Sequence, residues 1–275
     1  MHIFRSGLVM GESPRWRDGR LWLSDWGTGE ILALDDAGGA EVVAHGLALP
    51  FCFDWLPDGR LLVVSGRAGL LLRHEPDGTV VTHADLTALA PPPWNDIVVD
   101  ARGNAYVGCT GFDFPGGGFA PGIVALVTPD GAMREVADGV AFPNGVGVTP
   151  DGRTLVLAES YANRLTGWDI AQDGELTGRR VWADLGDGVP DGICFDEEGA
   201  AWYADVPNQR CVRVAEGGEV LATVEHDRGC FACMLGGSTL YVVASEWRGP
   251  TQVAAAAGTG QVLAVPAPAA HAGRP

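Results

Sequence analysis

The sequence predicts an all-β fold: a six-bladed β-propeller with four antiparallel strands per blade. Three observations carry the prediction. One phrase recurs six times, made of a polar start, a short apolar run, a turn of Asp-Gly type and a second apolar run. Its turn glycines stand at 19, 59, 103, 152, 199 and about 237, at spacings of 40, 44, 49, 47 and 38 residues, a period that suits four short strands. Forty Gly and eighteen Pro in 275 residues mark many tight turns, with no long helical pattern between them. A sandwich also uses repeated short strands, but it does not repeat one phrase at this period.

The copies read ESPRWRDGRLWLSDW from Glu12, FCFDWLPDGRLLVVSG from Phe51, NDIVVDARGNAYVGCT from Asn95, NGVGVTPDGRTLVLAES from Asn144 and DGICFDEEGAAWYADV from Asp191. CFACMLGGSTLYVVAS from Cys230 is a degraded sixth. Outer strands follow, as EILALDD and AEVVAHG after the first copy and RLTGWDI and RRVWADL after the fourth. Residues 2–6 have the form of an outer strand that precedes its own blade. They are expected to complete the last blade beside GQVLAVPAP, which removes the free edge. The expectation is one domain over residues 1–275, with 268–275 a disordered tail.

Eighteen basic residues against 35 acidic ones give a net charge of −17. Such a surface repels phosphate backbones, which argues against nucleic acid, and attracts cations. Every basic residue is Arg, so Schiff-base and P-loop lysine chemistry is excluded. No run of 18 apolar residues and no signal-peptide core is present. A cytoplasmic protein away from membranes is expected, as a monomer or weak homo-oligomer. The six Cys (52, 109, 194, 211, 230, 233) read as small buried hydrophobes. Cys230 and Cys233 form a C-x-x-C without a second pair, and on a regular strand they face opposite sides.

The inner strands of a propeller surround a central channel. Five residues after each junction glycine lies one equivalent position: Gly7 leads to Glu12, Gly46 to Phe51, Gly139 to Asn144 and Gly186 to Asp191, while Asn95 opens the third copy after Pro91, Pro92 and Pro93. Four of these five carry an oxygen ligand. Asn or Asp before Gly is also an ordinary turn choice, but four blades sharing the feature exceed that preference, and Glu12 precedes Ser. Two carboxylates with amide oxygens form a hard-oxygen set for one divalent ion. Ca²⁺ is the first expectation, with Mg²⁺, Mn²⁺, Zn²⁺ and Fe²⁺ open. No G-x-S-x-G is present, which argues against a serine hydrolase.

These residues resemble the SMP-30/gluconolactonase/luciferin-regenerating family of six-bladed propellers over nearly the whole chain. The specific points are G-E-S-P-R-W (11–16), N-D-I-V-V-D (95–100), F-P-N-G (142–145) followed by T-P-D-G, and P-D-G-I-C-F-D (190–196). The resemblance implies metal-assisted hydrolysis of a small lactone. Glu12, Asn144 and Asp191 would be metal ligands, Asn95 a substrate contact able to complete the shell, and Asp191 the general base. Sugar-lactonase members carry an Arg two residues before that Asn, where this chain has Pro93. An apolar wall is expected instead, from Phe51, Trp94, Phe112, Phe114 and Trp247, with 111–122 a rim loop. The rivals are a phosphotriesterase on the same site and a non-enzymatic, metal-stabilised binding propeller.

Overall fold

The computed structural model describes residues 1–47, 49–249 and 258–273. Within them the chain folds into six four-stranded antiparallel sheets. The innermost strands are Gly11–Arg17, Phe51–Trp55, Trp94–Val99, Pro143–Val148, Pro190–Phe195 and Gly229–Gly236, for blades 1 to 6 in order. Each touches the inner strands of the neighbouring blades, and the first meets the sixth, so the sheets form the ring of a β-propeller. Burial follows the radius. Gly229–Gly236 is buried along its whole length, whereas the outer strands Ala40–Ala44 and Val220–Glu225 lie largely in solvent.

The turns explain why the phrase repeats. Gly59 and Gly152 adopt φ of 89° and 72°, a left-handed conformation that costs glycine little. The carboxylates of Asp58 and Asp151 accept the amide N–H of Arg60 and Arg153, each at 3.1 Å, closing the turn from the side chain.

Closure follows the expected route. The sixth blade runs Gly229–Gly236, Thr239–Ser245, Gly260–Pro266 and then His2–Leu8 on the outside. Trp16 stacks on Tyr241 at 5.6 Å and Phe4 packs on the same ring at 5.1 Å, which joins blade 6 to blade 1. The expected disordered tail is corrected for its described residues. Ala267 and His271 donate their amides to Ser238 and Gly237 carbonyls at 2.9 and 2.8 Å, Glu197 donates to Ala270 at 2.8 Å, and Ala269 is buried. The segment pairs its backbone beneath blades 5 and 6 rather than leaving it to water.

All six cysteines are free and buried. Cys194, Cys211, Cys230 and Cys233 belong to one apolar cluster between blades 5 and 6. Cys230 and Cys233 therefore share a side, contrary to the regular-strand expectation, because a bulge between Cys230 and Ala232 inserts one extra residue. Among the described residues no helix is long and apolar enough to cross a membrane.

Candidate active site

The site is built by β-bulges. Near their starts, five inner strands slip register: between Glu12 and Arg15, Trp94 and Ile97, Pro143 and Val146, Pro190 and Ile193, and Cys230 and Ala232. A bulge re-aims a side chain out of the regular alternation. The first four fall on or beside Glu12, Asn95, Asn144 and Asp191. Phe51–Trp55 pairs with Leu61–Ser65 without a slip. Ser13, next to Glu12, holds φ of 48°, a strained conformation for a residue with a Cβ, of the kind that clusters at functional sites.

Gly145 and Gly192 have a packing role. A Cβ on Gly145 would stand 2.5 Å from the Asp191 carbonyl oxygen, and one on Gly192 would stand 2.7 Å from Ala232 Cβ. Glycine at these points lets adjacent inner strands touch, which draws Asn144 and Asp191 together.

Glu12, Asn95 and Asn144 line one cavity at the tunnel mouth, with Arg15, Cys52, Asp96 and Cys233 among its other walls. It holds about 10 Å³, room for one guest the size of an ion or a water. The Asn95 amide donates to Asn144 Oδ1 at 3.2 Å, and Asn144 donates to Ser160 Oγ at 3.3 Å and to the Asp191 carboxylate. Ser160 in turn donates to the Pro190 carbonyl at 2.7 Å. The Ser13 amide donates to Glu12 Oε2 at 3.0 Å.

Beneath this ring lies a pair that spacing along the chain gave no means of finding. Arg15 donates to Asp96 Oδ1 at 3.0 Å and to the Ile97 carbonyl at 2.7 Å, and Asp96 Oδ2 accepts the Val146 amide at 3.2 Å. These bonds tie blades 1, 3 and 4 together under the cavity. Eighty-one residues separate Arg15 from Asp96. The one sequence signal is a charged residue of each sign, Arg15 and Asp96, close behind the counted positions Glu12 and Asn95 in two inner strands.

Burial and then the Asp191 charge raise the Glu12 carboxyl well above its ordinary range. Burial, then Asp96 and Cys233, raise Asp191 likewise, against the bond from Asn144. Like charges crowded out of water disfavour ionisation. With Asp54, which also faces Arg15, four buried carboxylates stand against one guanidinium and leave −3 when all are ionised, an excess that a divalent cation would relieve. The donors suit such an ion, with Glu12 and Asp191 carboxylates and Asn95 and Asn144 amide oxygens. Among the described residues no three His, Cys, Asp or Glu side chains form a metal-holding group by themselves. The amide oxygens would therefore have to complete the shell. Burial pushes the Cys52 thiol well up, so it stands in the wall as a neutral thiol and a weak ligand.

Two expected substrate contacts are corrected. Phe51 is fully buried and packs with Phe53, Val63 and Ile31. Without a bulge its ring keeps the ladder's alternation and turns into the core, and Cys52 takes the place on the cavity wall. Trp94 is fully buried between blades 2 and 3, because the bulge that follows it presents Asn95 instead. Pro93 is buried too, its carbonyl accepting the Thr110 amide at 3.1 Å. Phe114 remains at the rim, part of a group of rings with Phe112 and Phe142. Trp247 packs edge-on against Phe231.

A six-bladed propeller with this ring of oxygen donors defines the class, and the chain belongs to the SMP-30/gluconolactonase/LRE-like family, whose model matches residues 10–246. Among curated proteins it is 25% identical to a pentonolactonase from Haloferax volcanii, over 76% of this chain and 78% of that one. It is 27% identical to a 6-deoxy-6-sulfogluconolactonase from Pseudomonas putida, over 81% and 77%, and 29% identical to the diisopropyl-fluorophosphatase of Loligo vulgaris, over 62% and 61%. A luciferin-regenerating enzyme structure superposes with a TM-score of 0.81 at 19% identity, covering 96% of this chain and 93% of that one. That last likeness is one of fold.

Proposed function

We propose that the chain hydrolyses small lactones with the help of one divalent cation, Ca²⁺ being the first choice for its all-oxygen donors. The observation that carries the reading is one ion-sized cavity lined by Glu12, Asn95 and Asn144, with Asp191 beside it, bonded to Asn144 and coupled by charge to Glu12, and both carboxylates raised by burial and by like charges nearby. The lactonase names of two relatives supply the substrate class.

When bound, the cation supplies Lewis-acid polarisation of the lactone carbonyl. The cavity is too small for a lactone ring, so the ring sits above it at the mouth. Asp191 accepts a proton from the attacking water and returns it to the ring oxygen as the ester bond opens. Asn95 donates toward the substrate, and Asn144 holds Asp191 through its amide. Glu12 and Asp191 would hold the cation with Asn144. Arg15 and Asp96 fix the strands that carry these groups.

The test is a hydrolysis assay on γ- and δ-lactones with metal-stripped protein, reloaded in turn with Ca²⁺, Mg²⁺, Mn²⁺, Zn²⁺ or Fe²⁺. Activity that survives thorough chelation, or that survives Asp191→Asn, removes the proposal. The similarity to diisopropyl-fluorophosphatase favours a second reading, phosphotriester hydrolysis with Asp191 as nucleophile. A single turnover in ¹⁸O-water separates the two, since label enters the enzyme carboxylate only if Asp191 attacks.

A further inference from the structure

We propose that the lactone this site takes carries an apolar substituent, seated on a preformed aromatic wall at one side of the tunnel mouth; the inference rests on the lactonase reading above. The wall is made of Phe112, Phe114, Phe119, Phe142 and Tyr161. The first three come from the rim loop between strands Ala105–Cys109 and Gly122–Val127, Phe142 from the junction before Pro143–Val148, and Tyr161 from the 3-10 turn Ser160–Ala162. Their rings meet across blades 3 and 4. Phe142 stacks on Tyr161 at 4.8 Å, Phe114 stands edge-on to Phe142 at 4.9 Å, and Phe112 and Phe119 close the group at 5.6 and 5.7 Å.

The wall is held before any ligand arrives. Ser160 and Tyr161 donate their amides to the Phe142 and Ala141 carbonyls, both at 3.2 Å. Phe142 keeps φ of 60°, a conformation that an aromatic residue holds only where its surroundings impose it. It is also continuous with the donor ring. Phe142 lies two residues before Asn144, and Tyr161 follows Ser160, whose hydroxyl accepts from the Asn144 amide at 3.3 Å.

The surface chemistry selects the substituent. Phe119 and Tyr161 are 55% and 51% exposed, so apolar area beside the site is left facing water, as at a ligand-binding surface. Four of the five rings are phenyl and offer no hydrogen bond. A sugar lactone would set its hydroxyls against a side that pairs with few of them, a modest selection against it, whereas an alkyl or aryl tail would cover the rings.

The test uses the full chain reloaded with Ca²⁺ and a series of γ-lactones with 5-alkyl tails of increasing length, with glucono-δ-lactone as the polar arm. kcat/KM is expected to rise by up to about fourfold per methylene until the wall is covered, and the slope to flatten in Tyr161→Ala and Phe119→Ala. A series flat with tail length, a preference for the sugar lactone, or an equal loss on short and long tails in the variants overturns the proposal. A parallel calorimetric series with 5-alkyl γ-lactams reads binding alone. If no lactone is hydrolysed the lactonase reading falls, and lactam Kd then decides. Affinity that grows with the tail and is lost in Tyr161→Ala sustains the wall, and affinity indifferent to the tail removes it.

Discussion

Asp25, Glu159 and Asp205 end the second strands of blades 1, 4 and 5, while Glu12, Asn144 and Asp191 open the first strands of the same blades. The second-strand carboxylates are buried and fully partnered. Asp25 accepts the amides of Val9, Met10 and Gly27 at 3.0, 2.9 and 3.1 Å. Asp205 accepts the Val189 amide at 3.2 Å and pairs with Arg210 at 3.0 Å. Glu159 accepts the Ala141 amide at 2.7 Å and pairs with Arg164 at 2.9 Å. Each anchors the junction that leads into its own blade. Burial works to raise Glu159, but the Ala141 amide, the Thr166 hydroxyl and Arg164 outweigh it and hold the carboxyl below its ordinary range. Glu12 and Asp191, one strand away, have too few donors to offset burial and are raised. Buried carboxylates rich in N–H partners build the fold, and those without them are left with a demand for positive charge.

The largest expected effect lies on the pair that burial raises. Asp191→Asn should lower kcat for lactone opening by about 10²–10⁴-fold, the range of a lost general base, with an unchanged β-sheet circular dichroism spectrum. Glu159→Gln should do the reverse. It leaves Arg164 and the Ala141 amide short of their partner and costs about 2–3 kcal/mol, read as a fall in Tm of roughly 5–10 °C, with kcat of the folded protein kept within a few-fold. If instead Glu159→Gln abolished turnover without destabilising, the division between the two sets would fail.

A smaller effect tests the contact that joins the site's blades. Gly145→Ala pushes a methyl against the Asp191 backbone and should cost about 1–3 kcal/mol through overpacking, measured by urea denaturation. The smallest is a pH signature. Because the folded pKa values of Glu12 and Asp191 are raised, their contribution to metal-free stability is present in acid and is lost as pH rises through those values. For Glu159 the sign is opposite, with stability present above the unfolded value and lost as pH falls through the depressed one. Metal-free wild type should therefore lose stability relative to Asp191→Asn as pH rises above the ordinary carboxylate range, a loss that Glu159→Gln does not share.

The repeat made the fold legible, since turn chemistry and strand hydrophobicity are local and recur at a fixed period. The same regularity pointed to Glu12, Asn95, Asn144 and Asp191 by counting along equivalent junctions; the first three line one cavity and the fourth bonds to Asn144. Counting failed where the local backbone departs from the repeat. Phe51 sits at the counted position, but its strand lacks the bulge, so its ring turns inward. Trp94 precedes a bulge and packs between blades. Arg15 and Asp96 meet only because the ring closes, and no local pattern encodes that meeting. The described end of the chain docks because blades 5 and 6 offer backbone partners that a small-residue sequence does not announce.

The central claim is that Glu12 and Asp191 are held ready for a cation. It is tested most directly by thermal melts of metal-stripped wild type and Asp191→Asn at neutral pH, each repeated with Ca²⁺. The account predicts that the metal-free variant melts above metal-free wild type. It also predicts that Ca²⁺ at about a hundredfold excess over Kd stabilises wild type alone, by roughly 2.7 kcal/mol. A wild type that ignores the ion, or a variant that gains as much from it, would contradict the account.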